Sequence, residues 1–170
     1  MDEGREFLRS QVNNAIMQHR ALLENLQQHA RQAEDRRFAD LCQRHVPLMQ
    51  QHQLTLEQYG ESIGAEGEKG LKKALGAALG MARDAADAMR ETDFLRLVGD
   101  VVMIRQAQDT FATFAAAGRQ IGETRLAEIG QMGEREHDAM QREFNHLVQA
   151  MFVEHYHGAA VSAGGSHRGR

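Results

Sequence analysis

Tryptophan is absent from this 170-residue chain, and proline and cysteine occur once each, as Pro47 and Cys42. A single cysteine excludes an intrachain disulfide and suits a reducing compartment. Cys42 lies within a helical apolar pattern, which reads as a buried, inert thiol rather than a nucleophile. One proline leaves the helix formers almost uninterrupted, and Ala, Gln, Glu, Arg, Leu and Met abound. No uncharged run approaches the roughly 18 residues of a membrane span. The opening Met1-Asp2-Glu3-Gly4-Arg5-Glu6 lacks the apolar core of a signal peptide, so the expectation is a cytoplasmic protein. Charge of one sign is missing too: 20 Lys and Arg are scattered among 24 Asp and Glu, for a net charge of -4. That excludes an electrostatic nucleic-acid surface. Nothing matches a nucleophile elbow, a phosphate-binding glycine loop or a zinc-finger spacing.

What is present is helical periodicity, so the fold class is all-α. Phe7, Leu8, Val12, Ala15, Ile16, Leu22, Leu23 and Leu26 recur every three or four residues and predict a helix over about 3–31. A second is predicted over about 34–60, with Phe38, Leu41, Cys42, Leu48, Met49, Leu54 and Leu56 inward and Pro47 a possible kink. After a glycine-bearing turn, an alanine-rich helix is expected over about 68–90, where small residues, Gly76 and Gly80 among them, favour close packing. Thr92-Asp93 offers an N-cap for a helix over about 93–119. Gly122 marks the next break, and a last helix follows over about 123–156, with Phe152 inward and Gly130 and Gly133 suited to close helix approach. The expected organisation is a bundle over residues 1–157 and a flexible tail over 158–170. Four long helices, with the alanine-rich one in the connection between the second and the third of them, predict ferritin-like crossover wiring; a plain up-down bundle of five helices is the alternative.

Residues three apart on a helix share a face and can grip one ion, and Glu134 and His137 form the Glu-x-x-His pair that such bundles use. His19, His45, His52 and Asp109 fall at similar heights on the other long helices. The candidate metal ligands are therefore His19, His52, Asp109, Glu134 and His137. Histidine nitrogen suits zinc, iron, copper or nickel, and carboxylate oxygen shifts preference to harder ions such as manganese. The competing reading of each histidine is a solvated or internally hydrogen-bonded side chain. Glu154, His155 and His157 make a weaker cluster near the last helix end, and the nine methionines read as core filler.

Two stretches resemble the ferritin-like, stress-associated YciF-type family of bacteria. The first is Phe38-Ala39-Asp40-Leu41-Cys42-Gln43-Arg44-His45, continuing through His52-Gln53-Leu54-Thr55-Leu56-Glu57. The second runs from Asp93 to Leu147, with Gly122 at the break and an acidic cluster at Glu134 to Asp138. The resemblance implies a small dimeric bundle with a di-metal-type site. It puts His19 where the family has an acidic residue, Leu48 near an expected carboxylate, and His52 at a polar family position. Gln106 and Asp109 stand for a Glu-x-x-Glu arrangement, and Glu134, Glu136 and His137 keep the acidic character of the last helix. Iron, zinc or manganese is the implied metal, without the bridging carboxylates of a full ferroxidase.

Three functions follow as expectations. One is a metal-binding homodimer with a histidine-enriched site. Another is a non-catalytic scaffold that docks a partner on its alanine-rich helix. The third uses the Gly158-to-Arg170 tail as a docking peptide.

Overall fold

The computed structural model describes residues 2–65 and 92–164, and among these it is built of helices alone. They are α1 (Asp2–Gln32), α2 (Arg36–Ser62), α3 (Asp93–Ile121) and α4 (Thr124–Gly164). The alanine-rich helix expected over 68–90 lies outside the described residues. The last helix runs on to Gly164, through Ala159, Ala160 and Val161, where the sequence predicts a tail. Alanine favours that continuation more than the flanking glycines oppose it. No described helix is long and apolar enough to cross a membrane.

Each helix start and stop has a local cause. Asp35 caps α2 by accepting a hydrogen bond from the Arg37 amide, and the Thr92 hydroxyl accepts from Leu95 N at the start of α3. Gly122 ends α3 in the left-handed region at φ 78°, which a side chain would disfavour. Pro47 sits on an exposed position, and α2 passes it without a break in its helical assignment.

The buried stripe of α1 is Val12, Ala15, Ile16, His19, Leu22, Leu23, Leu26 and His29, a three-and-four spacing that keeps one face turned inward. It meets Phe38, Leu41, Cys42, Met49, His52, Leu56 and Tyr59 of α2. Helices α3 and α4 approach more closely, because glycines face backbone across their seam. A Cβ on Gly130 would stand 2.6 Å from the Phe111 carbonyl oxygen and 2.7 Å from Ala115 Cα. The predicted inward faces are overturned at Phe7, Leu54 and Phe152, which are exposed. Leu54 falls between buried His52-Gln53 and buried Leu56, off the stripe, Phe152 falls one position past buried Met151, and Phe7 lies near the start of α1 ahead of its buried stripe.

The wiring follows from which residues meet. Arg9 Nε donates to the Ile63 carbonyl (2.8 Å), so the start of α1 meets the end of α2. At the other end of the bundle the Asp35 amide donates to Asp93 Oδ2 (2.7 Å), which brings the start of α3 beside the α1–α2 turn. Asn25 packs on Met103 and His29 on Asp100, so α1 and α3 are antiparallel. Arg37 pairs with Glu154, Arg44 with Glu143 and His52 with Glu136, so α2 and α4 are antiparallel as well. The order is up, down, down, up. The connection from α2 to α3 therefore starts and finishes at opposite ends of a bundle roughly 40 Å long.

Candidate metal centre

In the middle of the bundle three helices each replace an apolar stripe position by histidine. His19 of α1, His52 of α2 and His137 of α4 are buried, at 2%, 1% and 0% exposure. Their ring centroids lie 5.2 to 6.0 Å apart, and Phe111 of α3 packs on all three at 4.9 to 5.9 Å.

In two of the three rings one nitrogen is committed to a hydrogen bond. His19 Nδ1 donates to Gln53 Oε1 at 2.9 Å, while the Gln53 amide donates to Glu57 Oε1 at 2.7 Å, and Arg20 pairs with the same carboxylate. His137 Nδ1 donates to the Gly133 carbonyl one turn back, at 2.8 Å. His52 Nε2 stands 2.5 Å from Glu136 Oε2, off the direction of a good hydrogen bond. The hydrogen bonds fix the tautomers of His19 and His137, and they leave His19 Nε2, His137 Nε2 and both nitrogens of His52 as buried atoms without a hydrogen-bond partner. An unpartnered buried polar atom costs about 1–3 kcal/mol, so four in one layer need a reason.

Burial also decides their charge. It pushes His19 down to about 4 and His137 down to about 3, with the mutual repulsion of the rings adding to both. Burial lowers His52 likewise, against the pull of Glu136. All three are neutral at pH 7, the form that binds metal.

Of the five ligands expected from sequence, His19, His52 and His137 are brought together. Asp109 is not. Its side chain is 64% exposed and pairs with Arg105, because it lies off the stripe formed by Ile104, Ala107 and Phe111. Glu134 is half-buried, and it is Glu136 that reaches His52.

A second polar layer lies nearer the α1–α2 turn, and sequence reasoning missed it. His29, Cys42 and Asp100 are all buried, and their ligand atoms all lie within 4.8 Å of one another. Among the described residues this is the group that meets that spacing; the His19, His52 and His137 nitrogens stand wider in this conformation. The signal was present in the sequence: Asp100 occupies the stripe between Leu97 and Ile104, as His29 continues the stripe from Leu26.

No protein-family model, curated protein or solved structure matches the chain.

Proposed function

We propose that this chain is a metal-binding bundle of ferritin-like kind, holding a transition-metal ion at His19, His52 and His137. The observation that carries this reading is the set of three neutral, buried histidines from three helices, each with a free ring nitrogen, and with the Nδ1 of His19 and of His137 committed to hydrogen bonds. That is the arrangement by which proteins orient metal-binding imidazoles. Three imidazoles on one ion, at nitrogen-to-metal distances of about 2.0–2.1 Å, have ring centres about 5 Å apart, close to the spacing here. Convergence of the nitrogens then takes ring rotation rather than backbone movement.

Imidazole donors select zinc or iron over manganese. Carboxylates stand at the edge of the layer, Glu136 on His52 and Glu57 behind Gln53, so the proposal is binding and not di-iron oxygen chemistry. Dimerisation and a cytoplasmic setting belong to the same reading, and the exposed Phe152, Val153 and Tyr156 of α4 offer apolar surface for a second copy.

Elemental analysis of untagged protein, with melting curves at rising Zn²⁺, tests the reading. At free zinc a hundredfold above Kd the melting temperature should rise by about 5–10 °C. His137→Gln combined with His19→Gln should lower the zinc content by one ion per chain and reduce that rise. If the double variant loads as much metal and shows the same rise as the parent protein, the reading fails and a scaffold role stands in its place.

A further inference from the structure

We propose that His29, Cys42 and Asp100 form a second, separate metal site that binds one divalent ion of the zinc type through nitrogen, sulfur and oxygen.

The three residues come from three helices. His29 lies in the last turn of α1, Cys42 in the first half of α2, and Asp100 two turns into α3. They converge because each continues its helix's inward stripe, and Phe38 packs on the His29 ring at a centroid distance of 5.2 Å. His29 Nδ1 stands 2.7 Å from Asp100 Oδ2, but Asp100 Oδ1 has no hydrogen-bond partner although the residue is 1% exposed. A buried carboxylate oxygen left without a partner calls for an explanation, and an ion is one.

Spacing and charge both fit an ion. Donors around a tetrahedral zinc stand about 3.5 Å apart, given bond lengths of about 2.0–2.3 Å. The present atoms, all within 4.8 Å, need only to draw in. A doubly charged cation with one thiolate, one carboxylate and one neutral imidazole carries no net formal charge. Such a group can sit in an apolar interior where an unmatched ion could not. The other layer, with three neutral ligands, lacks this compensation.

The free thiol is not poised for anything else. Burial holds Cys42 well above its ordinary value, and the Asp100 charge adds to the effect, so the thiol stays protonated and unreactive without a cation. Binding forms the metal–sulfur bond as the S–H bond breaks. The thiol proton passes to solvent, and no electron changes hands.

Titration of the full, metal-free chain with Co²⁺ decides the matter. The chain has one cysteine, so a thiolate-to-cobalt charge-transfer absorption can arise only from Cys42. The expected result is that band, saturating at one ion per chain with release of one proton, and displaced by Zn²⁺. Asp100→Asn should weaken cobalt affinity at least tenfold, and Cys42→Ser should abolish the band, circular dichroism confirming that each variant is folded. His137→Gln should leave the band intact while removing any second ion, which separates this site from the histidine layer. Saturating Co²⁺ without the band in the wild-type protein overturns the proposal, whether or not any variant folds. So does a band whose cobalt affinity is unchanged in folded Asp100→Asn.

Discussion

Acidifying the metal-free protein from pH 7 to pH 4.5 should cost it about 5 kcal/mol, a large part of the stability of an ordinary domain. The cause is the pair His19 and His137, which burial holds at about 4 and about 3 against an ordinary value of 6.5. Above pH 6.5 neither the folded nor the unfolded chain protonates these rings, and they contribute no pH dependence. Below pH 6.5 the unfolded chain takes up the protons and the folded one refuses them. Each pH unit then costs about 1.4 kcal/mol per ring, until the folded pKa is reached.

Burial lowers His52 and His45 as well, which adds to the loss, and other buried groups shift it in part. Burial raises Asp100, against the pull of His29, so the folded chain takes up that proton before the unfolded one does, which offsets some of the loss as the pH falls. Glu57 is raised by burial, but hydrogen bonds from Gln53 and Arg20 more than offset this, and the stability it contributes fades below its ordinary value. Denaturant melts with a chelator at pH 7, 6, 5 and 4.5 give the slope directly. His137→Leu, which cannot take a proton, should remove about half of the share that His19 and His137 supply, whereas a parent protein equally stable at pH 7 and pH 4.5 would contradict the burial of these rings as neutral groups.

The helices were legible because their apolar stripes are clean. The stripe on α1 can be read at residues 12, 15, 16, 22, 23 and 26 without any structure, and the caps at Asp35, Thr92 and Gly122 stand where the stripes end. The candidate site was half legible for the same reason. His19, His52 and His137 lie on stripes, and height along the bundle was enough to bring them together. Asp109 and Glu134 were chosen by height and by a three-residue motif, and neither criterion says which way a side chain faces. Asp109 is two positions from buried Ala107 and Phe111 alike, which on a 3.6-residue helix points it outward. The reverse error hid Asp100 and His29. Each interrupts a run of apolar stripe residues, and a polar residue in that register has to find a partner inside. Reading the stripes for their polar members, rather than for their apolar ones, would have found both layers. Residue pairs across helices, such as Cys42 with Asp100, depend on the up-down-down-up wiring, which stripes alone do not specify.

Gly130→Ala should lower the melting temperature by about 4–8 °C, although alanine is the better helix former by about 1 kcal/mol. Propensity and packing pull in opposite directions here, and distance decides between them. The added Cβ would lie 2.6 Å from the Phe111 carbonyl oxygen and 2.7 Å from Ala115 Cα, with the Ala115 amide nearer still. These are backbone atoms of α3, and they cannot rotate away as a side chain can. The two helices must part, at the upper end of the about 1–3 kcal/mol that overpacking costs. Gly99 of α3 gives the control. A Cβ there would meet nothing within 4 Å, so Gly99→Ala should show propensity alone and raise the melting temperature by about 2–4 °C. Phe111 and His137 face each other across the same seam, at a centroid distance of 4.9 Å, so parting α3 from α4 also loosens the histidine layer. Gly130→Ala should therefore bind zinc more weakly than the parent, while Gly99→Ala binds it equally well. A Gly130→Ala protein that melts no lower than the parent would mean that α3 and α4 do not pack backbone to backbone, and the close seam that seats Phe111 against the three histidines would have to be abandoned.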